Sequence, residues 1–245
     1  MARGLLERAI YGPEREQELV SAFLGERPGI FVEVGANDPV IESQTLHLER
    51  RGWTGLLVEP LAEMAAALRR QRKARVAEVA CGAPAHHGTL MSFKVATTGS
   101  TLADDFTDAD LVASEIRKVP VATLDSLLKQ AGFAKVDFVS IDVEGFEIEV
   151  LAGFSLERYR PRLVLMEDRV RELTRHRHML GRGYKLVRRT GLNSWYVPAE
   201  TEFPISWFGR WQILRKYRLG VPFRAARDIV RISAKCRGSV NVAKY

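Results

Sequence analysis

The chain has 245 residues, of which 46% are hydrophobic and 27% are charged, a balance typical of a globular protein long enough to bury a sizeable core. Its two cysteines, Cys81 and Cys236, match no zinc or redox spacing, which excludes a disulfide framework and favours a reducing cytoplasm. No stretch approaches the roughly 18 apolar residues of a membrane span, and the charged N-terminus is unlike a signal peptide.

The net charge of +7 is unevenly distributed along the chain. Residues 206–245 contain ten Lys or Arg and a single acid, Asp228, whereas residues 1–205 carry 27 basic and 29 acidic groups. The excess basicity therefore belongs to the C-terminal segment and not to the body of the protein.

Short apolar runs alternate with helical patterns along the body. Strands are predicted at 30–34, 55–60, 75–80, 136–142 and 162–167, and helices at 14–24, 42–51, 61–71 and 123–132. This alternation predicts an α/β fold with a parallel sheet and helices on both faces. The pattern of residues 184–197 predicts a terminal antiparallel hairpin turning at Thr190-Gly191. Residues 82–118 are expected to form loops, a short strand near TLMSFKV at 89–95 and a cap over the site.

Two residues that follow predicted strands indicate a ligand site, because ligands of open α/β sheets bind beyond the carboxyl ends of the strands. Gly35 follows the first run and allows a close approach of backbone to ligand, and Glu59 ends the second, where an acid can bind a ribose diol. Of the three glycines in the dinucleotide-binding motif G-x-G-x-x-G, Gly35 alone is present. A nucleoside ligand without a pyrophosphate is therefore favoured, and S-adenosylmethionine is the first candidate.

The stretch SIDVEGFEIEVL, residues 140–151, places four carboxylates directly after the predicted central strand. Glu147 and Glu149 are expected to be mostly solvated groups in the first turn of a short helix, where the helix dipole favours negative charge. Asp142 and Glu144 are expected at the ligand site, since Asp142 stands at the carboxyl tip of that strand and faces the same crevice as Gly35 and Glu59.

Five blocks of sequence occur in a recognisable order over about residues 28–197: FVEVGAND, SQTLHLERRGWTGLLVEP, VPVATLDSLL, VDFVSIDVEGFEIEVLAGF and RPRLVLME. Together they resemble the FkbM-type S-adenosylmethionine-dependent methyltransferases, with one departure at Pro39, where relatives often carry glycine. The resemblance implies a Rossmann-like methyltransferase fold and O-methylation of hydroxyls on sugars, polyketides and other secondary metabolites.

The resemblance also implies residue roles. Asp142 and Glu144 are expected at the methyl-transfer end of the site, and the cofactor is expected to contact Glu33, Gly35, Asn37, Glu59 and Asp142. Because methyl transfer to a hydroxyl needs a base for its proton, Asp142 is the first candidate base and Glu167, which ends the fifth strand run, the second. Alternatively, Asp142 and Glu167 hold a divalent cation such as Mg²⁺, and the sequence leaves this undecided.

The histidines are weaker candidates. His176 and His178 stand two residues apart, which places them on different helix faces and predicts a solvated basic face and not a shared metal. His86 and His87 lie in the segment predicted as loops, where either would be an alternative base.

The C-terminal segment combines aromatic and basic residues. Trp207 and Trp211 are one helical turn apart, Leu214 follows three residues later, and a cationic stripe continues through Arg224, Arg227, Arg231 and Lys235. Three interpretations stay open: packing on the domain or on a twin subunit in a homodimer, docking on an anionic membrane surface, and binding of nucleic acid. Nucleic acid is the least favoured, because the motifs of base and ribose methylation are missing after the fourth and fifth strand runs.

The expected organisation is an N-terminal helical segment at 1–27, an S-adenosylmethionine-dependent methyltransferase domain at 28–198 and a basic amphipathic tail at 199–245. The leading hypothesis is a cytoplasmic O-methyltransferase, at the inner face of the membrane if its tail docks there, that acts on a hydroxyl of a small molecule, glycan or glycolipid. The alternatives are a non-catalytic module that serves as a membrane or protein adaptor through its tail and, less favoured, an RNA methyltransferase.

Overall fold

The computed structural model describes residues 13–41, 43–95, 101–103, 115–168, 173–205 and 207–220. Its strands are β1 Ile30–Val34, β2 Thr54–Val58, β3 Arg75–Ala77, β4 Ala80–Cys81, β5 Leu90–Val95, β6 Thr101–Ala103, β7 Glu115–Ala122, β8 Phe138–Ile141, β9 Leu163–Glu167, β10 Tyr184–Thr190 and β11 Asn193–Pro198. Its helices are α1 Pro13–Leu24, α2 Leu46–Glu49, α3 Ala62–Gln71, α4 Leu124–Gln130, α5 Glu147–Ala152, α6 Leu156–Tyr159, α7 Thr174–Gly181 and α8 Trp207–Leu214, with a 3₁₀ turn at Pro84–His86 and a π turn at Arg215–Leu219.

Seven strands form the main sheet in the order β10-β11-β9-β8-β1-β2-β3. The five strands from β9 to β3 are parallel, and β11 pairs antiparallel with both β9 and β10. This topology confirms the prediction of a mostly parallel, Rossmann-like sheet that ends in an antiparallel hairpin. Strand order reverses at β1, between β2 and β8, and such a reversal creates a crevice at the carboxyl ends of the strands.

Alternate residues of the central strands face two separate helical layers, as the pleat of a β-strand requires. Val32 packs in one core cluster with residues of α4–α7, among them Leu128, Val150 and Met179. Its neighbour Phe31 packs in the other cluster with residues of α1–α3, among them Val20, Leu48 and Leu68. Helices therefore cover both faces of the sheet, as predicted.

The boundaries differ from the sequence prediction at two places. The run at 75–80 is divided into β3 and β4, which join different sheets. The helix predicted at 42–51 is shorter, because the hydroxyls of Ser43 and Thr45 donate hydrogen bonds to Glu33 and hold the preceding residues in a turn.

A second sheet, of order β4-β7-β5-β6, occupies much of the region that was predicted as loops. Strand β5 pairs antiparallel with β6 and β7, and β4 pairs parallel with the end of β7. Buried side chains of this sheet form a third apolar cluster with Leu61, which follows β2. The short strand predicted near 89–95 is confirmed as β5, whereas β6, β7 and the sheet that they form with β5 were not predicted.

The chain beyond the hairpin returns to the body as α8 and the π turn. Tyr217 is buried in the same cluster as Met179, and Ile213 packs against that cluster. The cationic stripe from Arg224 to Lys235 lies outside the described residues, and the division of the chain into three segments stays a prediction. Over the part of the chain that is described, no helix has the length and apolar character that crossing a membrane requires.

Candidate active site

The turn after β1 lies in backbone contact with β8. The amides of Gly35 and Ala36 both donate to the Val58 carbonyl, at 3.0 and 3.1 Å, and the Asp142 amide donates to the Val34 carbonyl at 3.0 Å. Gly35 has φ +81°, and a Cβ placed on it would lie 1.9 Å from the Asp142 carbonyl oxygen. Glycine is therefore required on both conformational and steric grounds.

Glu59 connects the end of β2 to the loop after β1. Its two carboxylate oxygens accept hydrogen bonds from the amides of Asn37 and Leu61, each at 2.9 Å. Burial raises the pKa of Glu59, and the two amides oppose that rise. The carboxylate thus has a fixed orientation at the cavity wall and keeps acceptor capacity for a further donor.

Asn37 adopts the left-handed backbone conformation, with φ +46°. Asparagine tolerates this region better than most residues do. Asp38 then accepts hydrogen bonds from the amides of Val40 and Ile41, at 2.8 and 2.6 Å, and so stabilises the turn around Pro39. The local conformation brings Asn37 to the cavity lining, together with Gly35 and Glu59.

Glu33 lines the same cavity, but its carboxylate is occupied by the loop before α2. It accepts hydrogen bonds from the Gln44 amide at 2.6 Å and from the hydroxyls of Ser43 and Thr45. The buried Arg72 guanidinium donates to those two hydroxyls at 3.0 and 2.9 Å and lies 4.0 Å from Glu33. The predicted contact of Glu33 with a cofactor stays a prediction, while its contact with the loop is observed.

Sequence reasoning missed Arg72. It also pairs with Glu49 at 3.3 Å and donates to the Pro39 carbonyl at 3.3 Å, so it ties α3 to both ends of the loop after β1. Its sequence context, one of several arginines in LRRQRKAR, contains no signal that separates it from its exposed neighbours.

Asp142, Glu144 and Glu167 form an acidic cluster at the carboxyl ends of β8 and β9, with one oxygen of each within 4.8 Å of the others. Asp142 lines the cavity and is exposed, whereas Glu144 is half-buried and Glu167 is buried. Burial and then the neighbouring carboxylate of Glu167 raise the pKa of Asp142 to about 8, with further contributions from Glu144 and Glu147. The pair of Asp142 and Glu167 therefore holds a proton to a higher pH than an isolated aspartate does.

The backbone of Glu144 adopts an unusual conformation. Its φ is +51°, and the following Gly145 has φ +110°. A glutamate in the left-handed region costs conformational energy, of order 1 kcal/mol, and such strain is concentrated at functional sites. The turn directs the chain out of β8 and back towards α5.

Glu147 lies in the first turn of α5, as predicted, but the prediction that it is solvated was wrong. It is buried, accepts a hydrogen bond from the Gly145 amide at 2.9 Å and forms a 2.7 Å ion pair with Arg175 of α7. Arg175 also lies 3.9 Å from Asp168. Sequence reasoning missed Arg175 and Asp168, which together support the loop that carries Glu144.

His176 also differs from the prediction of a solvated face. It is half-buried, its Nδ1 lies 3.1 Å from the Tyr196 hydroxyl, and its ring centroid is 4.7 Å from that of Tyr217. Burial lowers the pKa of His176 and that of His178. Within the described residues, the cavity lining contains no histidine, so neither these two nor His86 and His87 belong to it.

These residues surround a cavity of about 660 Å³, a size typical of small-ligand sites. One end is polar and is lined by Glu33, Asn37, Glu59, Asp142 and Glu144. The rest of the lining is mostly apolar and includes Met64, Val79, Phe146 and, from the second sheet, Phe93, Val95 and Leu102, together with the carboxylates of Glu63 and Glu115. Burial raises the pKa of Cys81 in this wall to about 12, so its thiol is not a nucleophile at neutral pH.

A family model described as the methyltransferase FkbM domain matches residues 33–186, which is more than half of the chain and includes every residue of the acidic cluster. The chain belongs to the FkbM methyltransferase family. It is therefore a methyltransferase, as its sequence motifs predicted. A search of curated proteins finds no match.

FkbM methyltransferases, like methyltransferases in general, use S-adenosylmethionine, and the cavity suits that molecule chemically. Glu59 offers carboxylate oxygens to a ribose diol, apolar side chains near it such as Leu61 and Met64 suit a flat base, and the acidic cluster suits positive charge. The other glycines of the dinucleotide fingerprint, which the binding of a pyrophosphate requires, are missing after β1.

The cluster of Asp142, Glu144 and Glu167 has the oxygen donors that Mg²⁺ prefers. A proton held between Asp142 and Glu167, which are hydrogen-bonded to each other, explains the same geometry without a cation. Metal binding therefore stays a prediction, and no chemical step below relies on it.

Proposed function

We propose that this methyltransferase is an S-adenosylmethionine-dependent O-methyltransferase of the cytoplasm that acts on a hydroxyl of a small molecule, glycan or glycolipid. The observation that carries the proposal is the position of Asp142, a carboxyl with a pKa of about 8 that faces the cavity beside the turn after β1. A base with a pKa near the working pH is well suited to accept a hydroxyl proton.

The polar end of the cavity binds the donor. Glu59 orients the nucleoside through its carboxylate, and the tight turn at Gly35 lets the nucleoside lie against the backbone of β1. S-adenosylmethionine supplies a methyl group on a positively charged sulfur. The negative charge of Glu144 and of the partly ionised Asp142 favours that charge at the end of the cavity where the acceptor enters.

Asp142 receives the proton of the acceptor hydroxyl. The acceptor oxygen needs a nearby anionic oxygen, and Asp142 supplies it in the ionised form. Glu167 keeps the Asp142 carboxyl oriented through their hydrogen bond and keeps its pKa high enough for proton transfer near neutral pH. Apolar side chains from the second sheet line the cavity and offer contact area to the acceptor.

The first test is a calorimetric titration with S-adenosylhomocysteine. Tight one-site binding to the wild type is expected, and Glu59→Gln should weaken it by roughly tenfold to a hundredfold through a lost charged hydrogen bond. Glu78→Gln is the matched control, because Glu78 is an exposed acid beside β3, paired with Arg69 outside the cavity lining. Preference for a dinucleotide over S-adenosylhomocysteine would contradict the proposal.

The second test concerns turnover. Release of S-adenosylhomocysteine in the presence of hydroxylated acceptors should fall by about 10²–10⁴-fold in Asp142→Asn, which removes the base and keeps the shape of the side chain. Glu149→Gln should retain activity, since Glu149 does not line the cavity. Cofactor binding without turnover on any hydroxylated acceptor would favour the non-catalytic adaptor instead.

A further inference from the structure

Helix α8 and the π turn after it are firmly attached to the body of the protein. The Tyr217 hydroxyl donates to Asp168 Oδ2 at 2.8 Å and lies 2.7 Å from Ser194 Oγ, and all three residues are buried. Ile213 packs against the same core cluster. One face of this segment therefore has a fixed position on the protein.

The other face of α8 exposes large apolar side chains. The exposed fractions are 80% for Trp207, 43% for Trp211, 46% for Leu214 and 50% for Leu219. An α-helix turns by about 100° per residue, so Trp207, Trp211 and Leu214 lie within one narrow stripe. Exposed tryptophans in a continuous apolar stripe are unusual for a free protein surface and mark a contact site.

Basic side chains flank this apolar stripe. By the same helical geometry, Arg210 lies on one side of it and Arg215 on the other, and both are exposed, as is Arg218 in the π turn. Within the described part of the chain, no ion pair joins any of these three guanidinium groups to a carboxylate. The charge of this face is available to a partner that is negatively charged.

We propose that α8 and the π turn dock the enzyme on a membrane surface that contains anionic phospholipids. Trp207, Trp211 and Leu214 enter the boundary between headgroups and acyl chains, and the flanking arginines bind lipid phosphates. The ten basic residues of 206–245, against one acid, add attraction to the same surface.

A lipid surface matches these residues better than nucleic acid does. Phosphate contacts with RNA or DNA explain arginines, but they give no role to an exposed Leu214 or Leu219. A membrane interface accepts both groups at once, because tryptophan and leucine bury apolar area while arginine remains at the headgroup level.

The place of attachment gives docking a functional consequence. Tyr217 binds Asp168, which directly follows Glu167 of the acidic cluster. The docking segment is thus fastened to the edge of the main sheet that carries the cluster. A docked molecule holds this edge close to the lipid surface.

The test uses the full chain and vesicles of equal parts phosphatidylcholine and phosphatidylserine. Co-sedimentation with these vesicles is expected, with little binding to phosphatidylcholine alone. The variant Trp207→Ser/Trp211→Ser should bind these vesicles at least about tenfold more weakly than the wild type does, because it removes two apolar anchors. Leu180→Ser is the matched control, since Leu180 is 49% exposed on α7, away from the stripe.

Fluorescence quenching by brominated phosphatidylserine gives an independent measure on the wild type. The exposed Trp207 and Trp211 should be quenched, whereas the buried Trp53 and Trp195 should not. The proposal is overturned if anionic vesicles do not bind the chain or if the double variant binds them as the wild type does. Tighter binding to a single-stranded RNA, or a dimer in solution that the double variant loses without any vesicle binding, would equally overturn it.

Discussion

The chemistry of Asp142 follows from its neighbours. It is placed by β8 beside Glu167, the last residue of β9, because parallel strands bring their carboxyl ends together. Two carboxyl groups in hydrogen-bond contact cannot both ionise at low cost, so one of them keeps a proton to a higher pH. This arrangement makes the Asp142 carboxylate a stronger base than that of an ordinary aspartate.

The pH dependence of kcat/KM should report this pKa. A base acts in its deprotonated form, so the rate should be low in acid and should rise through an apparent pKa of about 8. Glu167→Gln removes a neighbouring negative charge and should move the midpoint to lower pH. The measurement is a pH–rate profile of both proteins on one acceptor.

The matched control for this profile is Glu149→Gln. Glu149 lies in the first turn of α5 but is not among the groups that raise the pKa of Asp142, so its removal should leave the midpoint in place. A midpoint that is equally unaffected by Glu167→Gln would show that Asp142 does not control the profile.

At the level of elements, the loop after β1 is held by side chains from three directions. Glu59 binds it from β2, Glu33 from β1 and Arg72 from the end of α3. Ile41 and Gln44 of this loop line the cavity. The shape of the donor end of the site therefore depends on a buried polar network and not on the loop sequence alone.

Arg72→Met should lower the free energy of unfolding by about 3–5 kcal/mol, because it leaves the buried carboxylates of Glu33 and Glu49 without their cation. It should also weaken S-adenosylhomocysteine binding, since the loop loses its anchor. Urea unfolding and calorimetry measure the two effects. Arg70→Met, an exposed position on the same helix, should change stability by no more than about 0.5 kcal/mol.

Sequence reasoning identified Glu33 as a site residue but did not identify Arg72, which lies beside it. The periodicity of apolar residues and the positions of glycines are local signals in the sequence. They were sufficient to predict β1, β8, the end of α4 before Gly132 and the residues that follow each strand. The partners of Arg72 are 23 to 39 residues away along the chain, and no local pattern encodes such a pairing.

The second sheet was not predicted for a related reason. Strand β5 has an alternating pattern of burial, but its partners β6 and β7 are short or weakly patterned and are separated from it along the chain. Their pairing is stabilised by contact with Leu61 and with Phe146, which come from outside the sheet. The sequence thus identified Gly35, Asn37, Glu59 and Asp142, which line the cavity, but not the apolar residues that the second sheet adds to the lining.

At the level of the whole molecule, a series of polar contacts runs from the C-terminal segment to Glu147 at the start of α5, next to the loop that carries Glu144. Tyr217 binds Asp168, Asp168 lies near Arg175, and Arg175 pairs with Glu147 at the start of α5. Arg189 also donates to the Asp168 carbonyl at 2.8 Å. The loop that carries Glu144 is therefore supported by elements from the end of the chain.

Tyr217→Phe should lower the free energy of unfolding by about 1–3 kcal/mol, because the buried Asp168 carboxylate and the buried Ser194 hydroxyl each lose one hydrogen bond. Amide hydrogen exchange should rise in 207–219 and, to a lesser degree, in 143–147. Chemical unfolding and exchange mass spectrometry measure these changes.

Tyr159→Phe is the control, since Tyr159 is equally buried but its hydroxyl has no hydrogen-bond partner among the described residues. It should be neutral or slightly stabilising. Equal effects of the two substitutions would show that the Tyr217 hydroxyl does not support the loop.

The second sheet is built on a segment whose two ends are neighbours. Ala80 and Cys81 pair with Val121 and Ala122, so the chain leaves the main fold and re-enters it at nearly the same point. Segments with adjoining ends are the ones that recombination and protein engineering exchange most freely. Residues 82–120 supply Phe93, Val95 and Leu102 to the cavity lining and none of Gly35, Glu59 or Asp142. Exchanging this segment between proteins of the family should therefore change that part of the lining and leave the residues proposed to bind the donor in place.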